Sequence, residues 1–177
     1  ARDAGRRQVA ASLRWALERM ALLVLPVTAA MVALASPALR VVEFGQTDGQ
    51  LLAAAVAGLA VGLYAYSAFL LLARGYYALG DSRTPGVVSL VSAGVGVVVM
   101  VVSAALVDGT ARIVLLGLGH SIAYMVGAAV LALGLTRRTA ASVRPAGLGR
   151  VALGSAIAGV GGWAASGAVL GDDPGRL

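Results

Sequence analysis

The chain has no cysteine and no lysine, a single histidine, and charged residues at only 12% of its 177 positions. Without cysteine, disulfides, zinc–thiolate sites and iron–sulfur clusters are excluded. The shortage of charge excludes an ordinary soluble domain, where about a quarter of residues are charged. Asp and Glu together number eight. No HExxH, no carboxylate pair at helical spacing and no glycine-rich phosphate loop occurs among them. A metal-dependent lipid transferase needs several acidic residues near the membrane interface. The one adjacent acidic pair, Asp172-Asp173, runs straight into Pro174-Gly175 and reads as a loop. No enzyme, no cofactor and no metal site is expected.

What is present is hydrocarbon, 59% of the residues, arranged in five uncharged runs. These are Met20–Leu39, Leu51–Ala73, Gly86–Val107, Ile113–Leu135 and Val151–Leu170. A helix needs about 20 apolar residues to cross a bilayer core of about 30 Å. Membrane strands would alternate in polarity, and these runs do not. The fold class expected is all-α, a polytopic bundle of five transmembrane helices. Around it stand a cytoplasmic amphipathic lead-in over residues 1–19, four spans over 20–135, an arginine-rich cytoplasmic loop over 136–150, the fifth span over 151–170, and an outer tail over 171–177.

The fourteen arginines set the orientation. Eleven flank alternate span ends: Arg2, Arg6, Arg7, Arg14 and Arg19, then Arg74 and Arg83, then Arg137, Arg138, Arg144 and Arg150. The opposite ends hold Arg40, Arg112 and Arg176. Positive residues stay on the cytoplasmic side, so Ala1 is expected inside and Leu177 outside. The net charge of +6 is thus topological, and its clusters lack the groove-sized basic face that nucleic acid requires. Exclusive use of arginine, with abundant Ala, Gly and Val, suggests a high-GC bacterial genome. The Ala-Arg-Asp start, without Met or signal-peptide pattern, suggests a piece of a longer chain.

Within the spans several residues stand out. Gln8 to Arg19 has helical spacing and extends the first span inward, with Trp15 at headgroup level and Arg14 four residues from Glu18. Pro26 inside the first span removes a backbone donor, so a kink is expected there, either a moving part or a tolerated irregularity. Pro37 reads as a helix terminator at the outer end. Small residues at four-residue spacing allow close helix approach. They are Ala54/Gly58/Gly62 in the second span, Gly117/Ser121 and Ala123/Gly127 in the fourth, and Gly154/Ala158/Gly162/Ser166 in the fifth. His120, about two turns into the fourth span, is the one ionisable side chain there besides tyrosines. Two readings stand for it: an intramembrane functional group, or a neutral imidazole hydrogen-bonded to a neighbouring helix near Ser121 and Tyr124.

The segment between the second and third spans, Arg74-Gly-Tyr-Tyr-Ala-Leu-Gly-Asp-Ser-Arg-Thr-Pro85, is the most informative. Gly80-Asp81-Ser82 is turn chemistry, and both Asp81 and Ser82 are helix-capping residues. Pro85 suits a first helical turn. Tyr76 and Tyr77 suit the headgroup region. Arg74 and Arg83 have either Asp81 or anionic headgroups as partners.

This segment resembles the signature joining two helices in the MurJ/MviN family of lipid II flippases, within the multidrug/oligosaccharidyl-lipid/polysaccharide exporter superfamily. Leu25-Pro26, Ser36-Pro37 and Glu43-Phe44-Gly45 also match that family, while Gln46-Thr47 replaces its usual aromatic residue. The motifs span about Leu13 to Val88. The resemblance implies helices nine to thirteen of a fourteen-helix, two-lobe transporter of the bacterial plasma membrane. It moves undecaprenyl-pyrophosphate-linked peptidoglycan precursor (lipid II) from inner to outer leaflet by alternating access. Implied partners are lipid II, membrane lipids and the remaining helices. Arg74, Asp81, Arg83, Thr84 and Pro85 would form a cytoplasmic gate loop. Two alternatives stand beside this: an exporter of another polyprenyl-linked glycan or a drug, and a non-transporting membrane scaffold of cell-wall synthesis.

Overall fold

The computed structural model describes residues 2–42 and 49–170. Among the described residues the elements are six helices: α1 (Arg2–Val42), α2 (Gly49–Ala60), α3 (Leu63–Ala78), α4 (Arg83–Leu106), α5 (Thr110–Thr139) and α6 (Leu148–Leu170). In hydrocarbon every backbone donor needs an internal partner, and helices supply it. Among the described residues four stretches are long and apolar enough to cross a membrane: Asp3–Ala35, Ala55–Ala78, Arg83–Leu106 and Ala111–Thr139. The fifth expected span is α6, 23 residues long and uncharged beyond Arg150. The chain is a membrane-embedded helix bundle. Glu43 to Thr47 and the Asp172-Asp173 tail lie outside the described residues, as do the Pro37, Ala54 and Ser166 side chains; the helix itself runs through Pro37 to Val42, so Pro37 does not terminate it.

The second span differs from expectation. A continuous helix over 51–73 was expected; instead Val61–Gly62 separates α2 from α3 inside it. There the Gly62 N–H turns to the Leu59 carbonyl at 3.1 Å, an i to i−3 bond, before Tyr66 resumes the ladder on the Gly62 carbonyl at 2.8 Å. The cause is contact with α5. A Cβ on Gly62 would lie 2.6 Å from the Ser121 Cα, and one on Gly58 would lie 2.8 Å from the Val114 carbonyl oxygen. Ser121 Oγ donates to the Gly58 carbonyl at 2.9 Å and lies 3.3 Å from that of Gly117. Gly58 and Gly62 of the second span thus meet Gly117 and Ser121 of the fourth directly, whereas Ala123 and Gly127 lie against Gly96, Ser92 and Phe69.

α5 is the hub, packing on α1, α2, α3 and α4, while α6 packs on α1. The small-residue stripe expected on α6 is largely not the packing seam. Gly154 has open space around its Cβ position, whereas the neighbouring Gly159 lies against Ala29, 3.2 Å from its Cβ. Of the two glycines in that stripe, Gly162 approaches α1, 4.0 Å from Ala33. Spacing marks where close approach is permitted, and α1 uses a different face.

The main core gathers toward the arginine-rich end. Ala10, Leu13 and Leu17 of α1 meet Phe69, Leu72 and Tyr76 of α3, Leu131 and Leu135 of α5, and Val143 beyond it. The lead-in is therefore helical and continuous with the first span, its apolar stripe packed inward. Arg14 and Glu18 pair at 3.1 Å, and Arg19 lies over the exposed Trp15 ring at 5.1 Å. Glu18 also accepts the Ala146 N–H at 2.7 Å, tying the segment before α6 to α1.

Candidate functional site

The site is the short segment that closes α3 and opens α4. Two capping devices meet there with almost nothing between them. At the end of α3, Gly80 takes a φ of +79°, the left-handed conformation that glycine adopts without a Cβ penalty. The Gly80 N–H then donates to Tyr77 and the Asp81 N–H to Tyr76, both at 3.0 Å, which satisfies carbonyls the helix end would orphan. Immediately afterwards Asp81 serves α4. One carboxylate oxygen accepts the Thr84 N–H at 2.9 Å, and the other accepts the Thr84 hydroxyl at 2.6 Å. Of the two capping candidates it is Asp81, and not Ser82, that caps. Pro85 is buried in the first turn, where a missing N–H costs nothing.

Arg138, from the last turn of α5, completes the cluster. Its guanidinium pairs with Asp81 and donates to the Thr84 hydroxyl at 3.2 Å. The same group lies 5.1 Å over the Tyr76 ring. Below it the Tyr76 hydroxyl donates to the Leu131 carbonyl at 3.2 Å. The Thr84 hydroxyl, then its N–H, then Arg138 hold the Asp81 carboxyl well below the usual carboxylate range. Asp81 is therefore an anion at any physiological pH, with its charge committed inward.

That commitment separates the expected site residues. Asp81, Thr84 and Pro85 come together with Arg138 and Tyr76. Arg74 and Arg83 are exposed, and among the described residues the ion pairs are Arg14–Glu18 and Arg138–Asp81. Asp81 is thus the partner of neither. Tyr76 was expected beside Tyr77 at headgroup level. Tyr77 is exposed, but Tyr76 is 1% exposed because it faces α5, where Gly134 leaves room for its hydroxyl. Gly75 of the same motif has its own reason: a Cβ there would lie 2.5 Å from a Leu13 methyl carbon of α1.

His120 and Pro26 lie apart from this cluster. Pro26 is exposed within α1, which continues through it as one helix. His120 is half-buried on α5, its ring edge-on to Tyr124 at 4.8 Å, and Tyr124 in turn meets Tyr66 and Phe69. Ser121, its neighbour, bonds to α2 and not to His120. Arg138 escaped the sequence reading, which counted it only toward orientation. The available signal was that Asp81 is the sole carboxylate in that segment, beside helix ends crowded with arginine.

Neither a curated protein nor a solved structure matches the chain. A family model described as Lipid II flippase MurJ matches residues 1–169, reaching far beyond the Leu13–Val88 stretch that carries the recognisable motifs. A segment with two caps and an inward-turned acid, set in a bundle of apolar helices, is here part of a match over nearly the whole chain, which belongs to the MurJ family of lipid II flippases.

Proposed function

We propose that these helices form part of a transporter that carries lipid II from the inner to the outer leaflet of the bacterial plasma membrane by alternating access. In this reading the arginine-rich ends face the cytoplasm and further helices complete the transport path against the exposed apolar face of α4. The observation that carries it is the family match over residues 1–169. The positive-inside distribution of arginine supports the orientation.

The segment from Arg74 to Pro85 is the gate at the cytoplasmic opening. With Asp81 neutralised by Arg138, the outward side of this segment is left cationic through Arg74 and Arg83. Guanidinium groups pair well with phosphate oxygens, which suits a pyrophosphate-bearing lipid arriving from the inner leaflet. Thr84 and Pro85 set the first turn of α4 and so fix where Arg83 stands.

The test is complementation of a bacterium depleted of its own lipid II flippase by the full-length protein. Survival with lipid II appearing in the outer leaflet is expected. The paired Arg74→Ala, Arg83→Ala variant, inserted at normal levels, should lose that rescue. Rescue at the wild-type level by the variant removes the gate role. Failure of the correctly inserted wild type removes lipid II as the cargo.

A further inference from the structure

The Val61–Gly62 break divides the second span into halves that are held differently. Phe69, Leu72 and Tyr76 of α3 belong to the main core, and among the described residues none of α2 does. α2 packs on α1 and α5, and its seam with α5 is built on glycine: Gly58 lies against Gly117, and Gly62 against Ser121. Ser121 is eleven residues into α5, so about 16 Å along it at 1.5 Å per residue. At that depth a backbone group that loses its helical partner needs another inside the protein.

The break frees one such group. The Gly62 N–H donates to Leu59, so the Gly58 carbonyl lacks the donor that a continuous helix would give it. Ser121 Oγ supplies the replacement, donating to that carbonyl at 2.9 Å across the seam. The same hydroxyl stands 3.3 Å from the Gly117 carbonyl, four residues back on its own helix. Ser67, Thr136 and Thr139 use that position alone among helix carbonyls, on Leu63, Ala132 and Leu135. Ser121 thus lies between two acceptors and serves the one that the break has orphaned.

We propose that Val61–Gly62 is a hinge, latched by the Ser121 hydroxyl on the Gly58 carbonyl, about which α2 moves while α3 keeps its place in the core. Two arrangements satisfy every group involved. In the observed one the Gly62 N–H serves Leu59 and Ser121 serves Gly58. In the other the Gly62 N–H returns to Gly58, the Leu63 N–H takes Leu59, and Ser121 falls back on Gly117. Gly62 stands at φ −84° and ψ −6°, and a turn of roughly 35° in ψ brings it to helical values. An exchange that costs no hydrogen bond leaves two discrete states open to the element. This inference does not depend on the transport reading.

The test uses the full-length protein in lipid membranes, in a background freed of any other cysteine. One nitroxide label goes on Ala55→Cys, a turn before the exposed Leu59 of α2, and the other on Val101→Cys, exposed on α4. Pulsed electron paramagnetic resonance then reads the distance between α2 and α4, and with Ser121 present the latched form should dominate. Ser121→Ala leaves the Gly58 carbonyl without a donor in the latched form alone, so a second, distinct distance should become the major one. Gly62→Ala should do the same, because its Cβ would lie 2.6 Å from the Ser121 Cα in the latched form and alanine favours a continuous helix. The wild-type distance in whichever variant folds overturns the proposal and makes Ser121 a static contact. Failure of both variants to fold overturns it as well, since the latched form would then be the only one the bundle adopts.

Discussion

Arg138 closes on Asp81 across 57 residues of sequence, so that the last turn of α5 holds the first turn of α4. The pair is exposed enough that its Coulomb energy alone is small. Its geometry matters more, because one planar guanidinium meets the Asp81 carboxylate, the Thr84 hydroxyl and the Tyr76 ring together. Lysine cannot make that fork. Arg138→Lys should therefore behave closer to Arg138→Ala than to wild type. The thermal losses of Arg138→Ala and Asp81→Ala in detergent should fail to add when combined. Fully additive losses would show that the two side chains do not act through each other.

The pH dependence of this contact follows from Asp81. Thr84 and Arg138 hold its carboxyl below the usual carboxylate range in the folded state. An unfolded aspartate titrates near 3.9, roughly. A lowered folded value means that the contribution to stability is complete above the unfolded value and disappears as pH falls through the lower folded one. The Tm difference between wild type and Asp81→Asn should thus stay level from pH 8 to pH 5, and shrink only in strong acid. A difference that shrinks between pH 7 and pH 5 would mean that the folded state raises the Asp81 pKa instead of lowering it.

What sequence could and could not reveal divides along physical lines. The apolar runs were legible because a bilayer demands uncharged helices of one length, and α4 and α5 follow the expected spans closely. A turn at Gly80 and a cap from Asp81 or Ser82 were legible because capping is local chemistry; that Asp81 is the one that caps was not. Helix partners were not. Gly58 and Gly154 look alike in sequence, yet one lies against α5 and the other faces open space. Tyr76 and Tyr77 are adjacent, and only the helical turn between them sends one into the core. The break at Val61–Gly62 was hidden for the same reason, since its cause is Ser121, far along the chain.

That contrast between glycines gives a direct prediction. A Cβ at Gly58 meets backbone atoms of Val114 and Gly117, which cannot move aside as a side-chain end can. Overpacking of this kind typically costs about 1–3 kcal/mol. Gly58→Val and Gly62→Val should each lower thermal stability and yield of folded protein in detergent, because they force α2 and α3 off α5. Gly154→Val, with nothing within 4 Å of its Cβ position, should remain near wild type. Equal sensitivity at all three would mean that α6 packs through the Gly154 stripe after all.

Tyr76 and Gly134 offer a sharper case, since each explains the other. The Tyr76 hydroxyl occupies the space where a Gly134 Cβ would stand, and from there it reaches the Leu131 carbonyl. Tyr76→Phe removes one buried hydrogen bond, worth about 0.5–1.5 kcal/mol net, and leaves a small gap beside Gly134. Gly134→Ala alone drives a methyl into the hydroxyl and should be the more damaging single change. In the double variant Tyr76→Phe, Gly134→Ala, the new methyl fills the space the oxygen left, and alanine also favours the helix over glycine by up to about 1 kcal/mol. The double variant should therefore melt above Gly134→Ala and near Tyr76→Phe. Measured melting curves of the four proteins decide the matter, because a double variant below both singles would separate Tyr76 from Gly134 and leave the packing of α3 on α5 without this contact.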